Sequence, residues 1–259
     1  MHESAGKNSI QGLTLKPHQY NREDQYQNQA EFNSKIEDLS SFANFIQSIS
    51  DLDHLDDPLL VFQPSMEESC EMGVPYLPAK RSPHAFTLVL DLDETLVHFE
   101  DDGNGGGKFL TRPYSIQFLQ ELSRHFEIVI FTAAMQDYAD FILDKLDKGR
   151  RISHRLYRDH TTVHQNVYQK DLSKLGRCLS KTIIVDNNAL NFRLQPANGI
   201  YIKSWYSDPQ DEALIKLCPL LIQIAKSGYP DVRVALKNIK TRVGAVSSPN
   251  TNDFKHVNQ

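Results

Sequence analysis

Thr87-Leu88-Val89-Leu90-Asp91-Leu92-Asp93-Glu94-Thr95-Leu96-Val97-His98 is the stretch whose reading decides the fold. A short uncharged run of mostly branched side chains, bounded by polar residues, reads as a strand buried on both faces, as in the middle of a parallel sheet. Asp91 and Asp93 follow directly. Burying a carboxylate without a partner is expensive, so two of them here call for a cation, protons or a charged ligand.

Three further apolar runs share this character. Glu127–Phe131 leads into Thr132-Ala133-Ala134, Lys181–Val185 into Asp186-Asn187-Asn188, and Gly199–Ile202 closes the series. Between and after them, apolar residues recur at helical spacing: Ile116, Leu119, Leu122 and Phe126 after Arg112-Pro113; Met135, Tyr138, Ile142, Leu143 and Leu146; and Leu214, Leu217, Leu221 and Ala225. The last helix is expected to begin near Asp208-Pro209, with Asp211 and Glu212 in its first turn, and Pro219 should kink or divide it. After Pro230 the sequence returns to mixed polar character. Arg155–Tyr157 and Val167-Tyr168 read as short extended pieces around a polar loop with His160 and His164, and Lys170-Asp171-Leu172 leads into a short helix or turn. Alternating strands and helices give an α/β fold, a doubly wound and mostly parallel sheet with helices on both faces. Ligands of such sheets sit beyond the carboxyl ends of the strands, so Asp91, Thr132 and Asp186 are expected to converge.

The remaining chain divides into flanks. Residues 1–82 form an N-terminal extension, largely disordered for lack of anything to bury. Within it, Phe32, Ile36, Leu39, Phe42, Ala43 and Ile46 suggest a helix near 32–49, favoured as packed on its own domain over docking to a partner. The acidic run 51–57 repeats the Asp-x-Asp spacing but lacks the turn glycine and distal glutamate of a calcium loop. Pro75, Pro78 and Pro83 mark 71–84 as an extended connector. The domain proper spans 83–242, and 243–259 reads as a flexible tail. Gly103–Lys108 invites a phosphate-loop reading, but the spacing is one short and Phe109 replaces the required Ser or Thr, leaving a flexible surface loop.

Composition narrows the function. The 259 residues are 40% hydrophobic, and a net charge of -5 gives no support for a broad basic nucleic-acid face. Three scattered cysteines, Cys70, Cys178 and Cys218, speak against a disulfide framework and for a reducing compartment. The first residues lack the apolar segment of a secretory signal, His2 excludes N-myristoylation, and Glu3, Glu23 and Asp24 are unlike a mitochondrial presequence. The apolar-rich stretch 213–225 contains Lys216, Pro219 and Gln223 and is too short to span a bilayer. A soluble monomer in the cytoplasm or nucleus is expected.

A phosphate monoester suits the crevice. A carboxylate can attack phosphorus to give an aspartyl-phosphate that water later hydrolyses. Two anions must meet, so a divalent cation is needed, and magnesium suits hard oxygen ligands. Asp91 and Asp186 are the natural carboxylate ligands, with Asn187 and the main-chain carbonyl of Asp93 as further oxygens. Asp93 could protonate the leaving oxygen, although an ordinary Asp titrates near ~4 and would need its pKa raised. Thr132 offers a hydroxyl and Lys170 a positive charge, though by spacing alone Lys170 is a solvated surface lysine. Thr95 reads as an orienting group bonded to backbone or to Asp93.

Asp91-x-Asp93-x-Thr95-Leu96-Val97 after an apolar strand resembles the first motif of the haloacid dehalogenase superfamily. Within it, the chain is similar to the FCP/SCP-type phosphatases, which act on phosphoserine in the C-terminal repeat domain of RNA polymerase II, and to their nuclear-envelope relatives. The similarity runs through Ile130-Phe131-Thr132-Ala133, Tyr138-Ala139-Asp140, His154–Arg158, Lys170-Asp171-Leu172, Leu175-Gly176-Arg177 and Ile184–Asn187 to Ser204-Trp205-Tyr206, covering roughly 83–230. It implies Asp91 as nucleophile, Asp93 as general acid/base, Thr132 and Lys170 as phosphoryl cradle, Asp186 as magnesium ligand beside Asp91 and Asp93, and Asn187 completing the site. Arg158 matches a position near the substrate phosphate, with a structural ion pair to Asp159 or another carboxylate as its alternative. The segment 99–111 is too short for the three-stranded insertion of the small polymerase phosphatases. With no large cap domain, an open site favouring protein substrates is expected. The expected function is thus a magnesium-dependent protein serine/threonine phosphatase. The alternatives are a non-catalytic scaffold, as among mitochondrial import-receptor relatives, and a small-molecule phosphatase.

Overall fold

The computed structural model describes residues 29–36, 74–103 and 106–243. Its strands are β1 (Phe86–Leu90), β2 (Val97–Asp101), β3 (Gly107–Thr111), β4 (Phe126–Phe131), β5 (Ile152–Leu156), β6 (Thr162–His164), β7 (Val167–Gln169), β8 (Thr182–Asp186) and β9 (Gly199–Tyr201). The α-helices are α1 (29–36), α2 (Ser115–Leu122), α3 (Gln136–Leu146), α4 (Ala213–Ser227) and α5 (Val232–Val243).

The apolar runs assemble into one parallel sheet ordered β5-β4-β1-β8-β9. β1, β4 and β8 are buried along their whole length, as continuous apolar strands must be at the centre of such a sheet. The chain leaves β1 for β4 and β5 in one direction, then returns across the sheet to β8 and β9 in the other. Right-handed crossovers therefore place the two sets of connections on opposite faces. The cores agree. On one face Leu88, Leu90, Ile128, Ile130, Ile183 and Val185 pack with residues of all five α-helices. On the other, Val89, Val129, Phe131 and Ile184 meet Leu77, Leu172, Leu175 and Phe192, carried by the 74–85 connector and short 3-10 turns. Both faces of the doubly wound sheet are thus covered by helical elements of different length.

Several local expectations needed revision. The glycine-rich stretch is not merely a loop: β2 and β3 pair antiparallel as a hairpin, with Glu100 across from Lys108 at 2.9 Å. Gly107 is required there, since a Cβ would lie 2.4 Å from the Glu100 carbonyl oxygen. α4 begins at Ala213, not near Asp208, because the Asp211 carboxylate is already engaged by Arg112 and receives the Ala213 N–H at 3.1 Å. Pro219 lies inside an unbroken helix, where the buried Leu214, Ile215, Cys218, Leu221 and Ile222 hold both halves against the sheet. α5 went unseen in the polar sequence beyond Pro230; Val232, Ala235 and Leu236 give it a narrow buried stripe.

The helix expected near 32–49 is described over 29–36, and residues 37–49 lie outside the described residues. Phe32 is fully buried, its ring 6.0 Å from that of Tyr114, and Lys35 Nζ donates to Tyr114 Oη at 2.8 Å. Phe32, within the N-terminal extension, therefore packs in the core. The readings for 1–28, for the acidic run 51–57 and for the tail from 244 also lie outside the described residues. Among the described residues no helix is long and apolar enough to cross a membrane.

Candidate active site

Register brings the strand ends together. Leu90 pairs with Ile130 on one side and Val185 on the other, so the residues that follow emerge side by side. The Asp91 N–H donates to the Val185 carbonyl at 3.0 Å and that of Thr132 to Leu156 at 2.9 Å, continuing the ladder one step beyond the strands. Asp186 ends β8 with no exposed surface.

Lys170 joins two of these residues. Its Nζ lies 2.5 Å from Asp91 Oδ1 and 2.6 Å from Asp186 Oδ2. The surface lysine that spacing alone suggested is 0% exposed, because its main-chain N–H bonds to Asn191 and fixes the stem beneath the strand ends. Burial works against the charged ammonium, but the carboxylates of Asp186 and Asp91 outweigh it and the pKa is raised. Asp186 is itself raised, chiefly by burial, against the pull of Lys170. Its Oδ1 accepts from the Asn188 N–H at 2.8 Å and from Asn191 Nδ2 at 3.1 Å.

Thr95 bonds to Asp91, and not to the backbone or Asp93 as expected. The N–H groups of Leu96 and Val97 both return to the Leu92 carbonyl, at 2.9 and 3.2 Å, curling the chain into one tight turn. That turn sets Thr95 Oγ1 2.9 Å from Asp91 Oδ2. Asn187 Nδ2 donates to Ser204 Oγ at 3.0 Å, which turns its amide oxygen to the Thr95 side, 3.5 Å from Oγ1.

Asp93 has separate surroundings. Its Oδ1 accepts from Tyr138 Oη at 2.8 Å, and Oδ2 lies 3.4 Å from Thr132 Oγ1. Burial pushes its pKa up to about 6, although the Tyr138 hydrogen bond opposes this; the nearby charge of Asp91 adds to the rise. Thr132 Oγ1 also accepts the Ala134 N–H at 3.0 Å, stiffening the loop after β4. Sequence reading gave Tyr138 as a helix-packing residue and as part of the Tyr138-Ala139-Asp140 stretch of the resemblance, with no role at the site. The signal available was its phenol, since a Tyr on a buried face brings a hydroxyl that must find a partner.

Arg158 is held beside this group. Its Nε donates to the Ala133 carbonyl at 2.6 Å and its guanidinium lies 5.0 Å from the Tyr168 ring centre, so its contacts are to these groups instead of an ion pair with Asp159. Asp91, Lys170, Asp186, Thr95 and Asn187 are thus joined by hydrogen bonds, and Asp93 is joined to Thr132 and Tyr138, two groups at the carboxyl ends of the strands with Arg158 on the adjoining loop.

Three carboxylates here face one ammonium, leaving an excess of buried negative charge that a divalent cation would fit. Among the described residues no cluster of three His, Cys, Asp or Glu side chains could hold a metal alone. A hard cation would therefore draw on the Asp91 and Asp186 carboxylates with the Asn187 amide and the Asp93 main-chain oxygen.

The chain is 44% identical over 165 residues to a probable C-terminal domain small phosphatase of Dictyostelium discoideum, covering 58% of this chain and 53% of that protein. It is 41% identical over 163 residues to the mitochondrial import inner membrane translocase subunit tim50 of Aspergillus fumigatus, covering 63% of this chain and 32% of that protein. The match thus spans about half of the first relative and a third of the second. A solved structure of Fcp1, an essential RNA polymerase II CTD phosphatase, aligns at 19% identity with a TM-score of 0.41, covering 64% of this chain and 55% of that one. Residues 86–233 match the model of the NLI interacting factor-like phosphatases, and the chain belongs to that family.

Proposed function

We propose that this protein is a magnesium-dependent phosphatase of phosphoserine and phosphothreonine in proteins, working through an aspartyl-phosphate on Asp91. The observation that carries the reading is the division of labour between two aspartates. Asp91 is held at both oxygens, by Lys170 and by Thr95, while Asp93 stands apart with a pKa of about 6. A carboxylate fixed in two directions is preorganised to attack. A carboxyl group near neutrality in pKa suits proton transfer.

In the first step an Asp91 oxygen bonds to phosphorus, the ester P–O bond breaks, and Asp93 gives its proton to the departing serine or threonine oxygen. In the second, water attacks the aspartyl-phosphate, Asp93 takes the water proton, and the P–O bond to Asp91 breaks, restoring its carboxylate. Thr132 and Lys170 donate to the phosphoryl oxygens as charge develops, and Arg158 meets the phosphate from the adjoining loop. Magnesium, when bound through Asp91, Asp186, Asn187 and the Asp93 main chain, neutralises the charge of the approaching phosphate.

The relatives named as C-terminal domain small phosphatases support the polymerase repeat as a substrate, and with it a nuclear site of action. The short β2–β3 hairpin, with no large cap among the described residues, supports a protein substrate over a small metabolite. Similarity to tim50 supports a second reading, a binding scaffold that does no chemistry. Against it stands the complete set of Asp91, Asp93, Thr132, Lys170 and Asp186. The test is a panel of polymerase-repeat and unrelated phosphoserine, phosphothreonine and phosphotyrosine peptides, with small phosphate esters beside them, with and without magnesium. Magnesium-dependent hydrolysis of phosphoserine or phosphothreonine peptides, lost in Asp91→Asn, is expected. Preference for small esters, or full activity in that variant, would overturn the reading.

A further inference from the structure

We infer that the buried ion pair of Arg112 and Asp211 positions the nucleophile, acting on Asp91 through Thr95; this rests on the reading of Asp91 as nucleophile. Arg112 is 1% exposed. Its Nε and Nη2 donate to the two carboxylate oxygens of Asp211 at 2.7 and 2.9 Å, the parallel geometry that only a guanidinium offers. Its remaining arm, Nη1, donates to the Thr95 carbonyl at 3.2 Å. With its donors directed at protein acceptors and no access to solvent, this arginine is not a phosphate ligand.

What it holds is the turn that carries Thr95. Three successive carbonyls there are engaged from outside: Glu94 by the Trp205 N–H at 2.8 Å, Thr95 by Arg112, and Leu96 by the Arg112 N–H at 3.0 Å and Ser115 Oγ at 2.9 Å. The charged contact falls on the one residue of the three whose side chain reaches Asp91. A carboxylate rotates easily about its last torsion, so a single donor leaves its second oxygen free to swing. Lys170 fixes Oδ1 and the Thr95 hydroxyl fixes Oδ2, which together set the plane from which Asp91 attacks. Asp211 completes the linkage, because its carboxylate also receives the Ala213 N–H and anchors the pair to the start of α4. Stability alone is a weak account of this arrangement, since well-packed apolar residues commonly replace a buried ion pair at no loss.

The experiment is a kinetic and thermal comparison of Arg112→Met, Thr95→Val, their combination, and the paired replacement Arg112→Met/Asp211→Leu. Arg112→Met and Thr95→Val should each lower kcat about ten- to a hundredfold with KM little changed, and the combination should be no worse than the poorer single variant. The paired replacement should recover Tm without recovering kcat, and it keeps the test open if Arg112→Met alone fails to fold. Multiplicative losses, or recovery of kcat along with Tm, would overturn the inference. The carboxyl 13C resonance of Asp91, assigned by its disappearance in Asp91→Asn, reports without turnover. It should move in both Arg112 variants as in Thr95→Val, and an unmoved resonance would also overturn the inference. Wild-type protein lacking Asp91-dependent turnover but showing these shifts would overturn the phosphatase reading and leave the positioning pair standing.

Discussion

Two buried ionic groups sit at opposite ends of the same sheet. At the carboxyl end, Asp91 and Asp186 share a single ammonium with Asp93 close by, and burial drives the pKa of both Asp93 and Asp186 upward. At the amino end, Glu127 faces an excess of positive charge. Arg177 Nε and Nη2 donate to its two oxygens at 2.7 and 2.9 Å, Thr87 Oγ1 donates at 3.0 Å, and His154 and Lys80 stand 3.5 and 3.8 Å away. Burial works against the Glu127 carboxylate too, yet the hydrogen bonds of Arg177 and Thr87 outweigh it and hold its pKa below the ordinary value. The contrast separates a staple from a site. A carboxylate fully answered by its own protein ties segments together, whereas a surplus of buried carboxylates asks for something from outside.

The largest expected effect comes from removing the surplus. Asp91→Asn should lower phosphopeptide turnover by roughly 10⁴-fold or more, because the nucleophile is lost outright. The same change takes one negative charge from a group that has too many, so the midpoint of thermal or urea unfolding should hold or rise. A variant that is both inactive and strongly destabilised would show that Asp91 is a structural partner of Lys170, and the contrast between the two ends would fail.

Removing the staple should do the reverse. Arg177→Met leaves Glu127 buried without its bidentate partner, which costs about 3–5 kcal/mol. Chemical denaturation should show this loss in full, while kcat per folded molecule stays within a factor of two or so. Equal losses of kcat and stability would mean that the two ends of the sheet are coupled.

The sheet was legible in sequence because its central strands are unbroken apolar runs, and Asp91, Thr132 and Asp186 could be aligned by their shared place at strand ends. Spacing alone left other features unmarked. Lys170 reads as a surface lysine until the fold carries it under two carboxylates far away in the chain. Tyr138 satisfies a helical stripe whether or not its hydroxyl has a task. The β2–β3 hairpin was hidden because Glu100, Asp101 and Lys108 lie on solvated strands with the composition of a loop. α5 was hidden because the sequence around its buried Val232, Ala235 and Leu236 is largely polar.

A pH titration of stability, in chelator and without magnesium, should expose the two ends with opposite sign. Glu127 has a folded-state pKa below its unfolded value of ~4.3, so its contribution is full above that value and is lost as pH falls through the folded one. Asp93 has a folded-state pKa of about 6, above its unfolded value of ~3.9. The folded state then binds more protons between the two, so stability falls as pH rises through that window, by about 2 kcal/mol. Asp93→Asn should lower the slope between ~4 and 6, leaving the part that Asp186, also raised by burial, contributes, and should leave the acid limb below ~4.3 in place. A slope unchanged by the substitution would assign it to Asp186 or another group.

The smallest effect belongs to Tyr138. Its hydroxyl donates to Asp93 Oδ1 and favours the carboxylate over the acid, while the ring is held edge-on by Phe99 at 6.2 Å. Tyr138→Phe keeps that ring contact and removes only the hydroxyl, so unfolding free energy should change by no more than about 1 kcal/mol. Without the donor, Asp93 should hold its proton to a higher pH. The acid form needed to protonate the leaving oxygen would then persist further, and the alkaline limb of the kcat profile should move up in pH while its maximum changes only severalfold. A limb that stays in place would mean that the proton reaches the leaving group from somewhere other than Asp93, and the separation of tasks between the two aspartates would have to be redrawn.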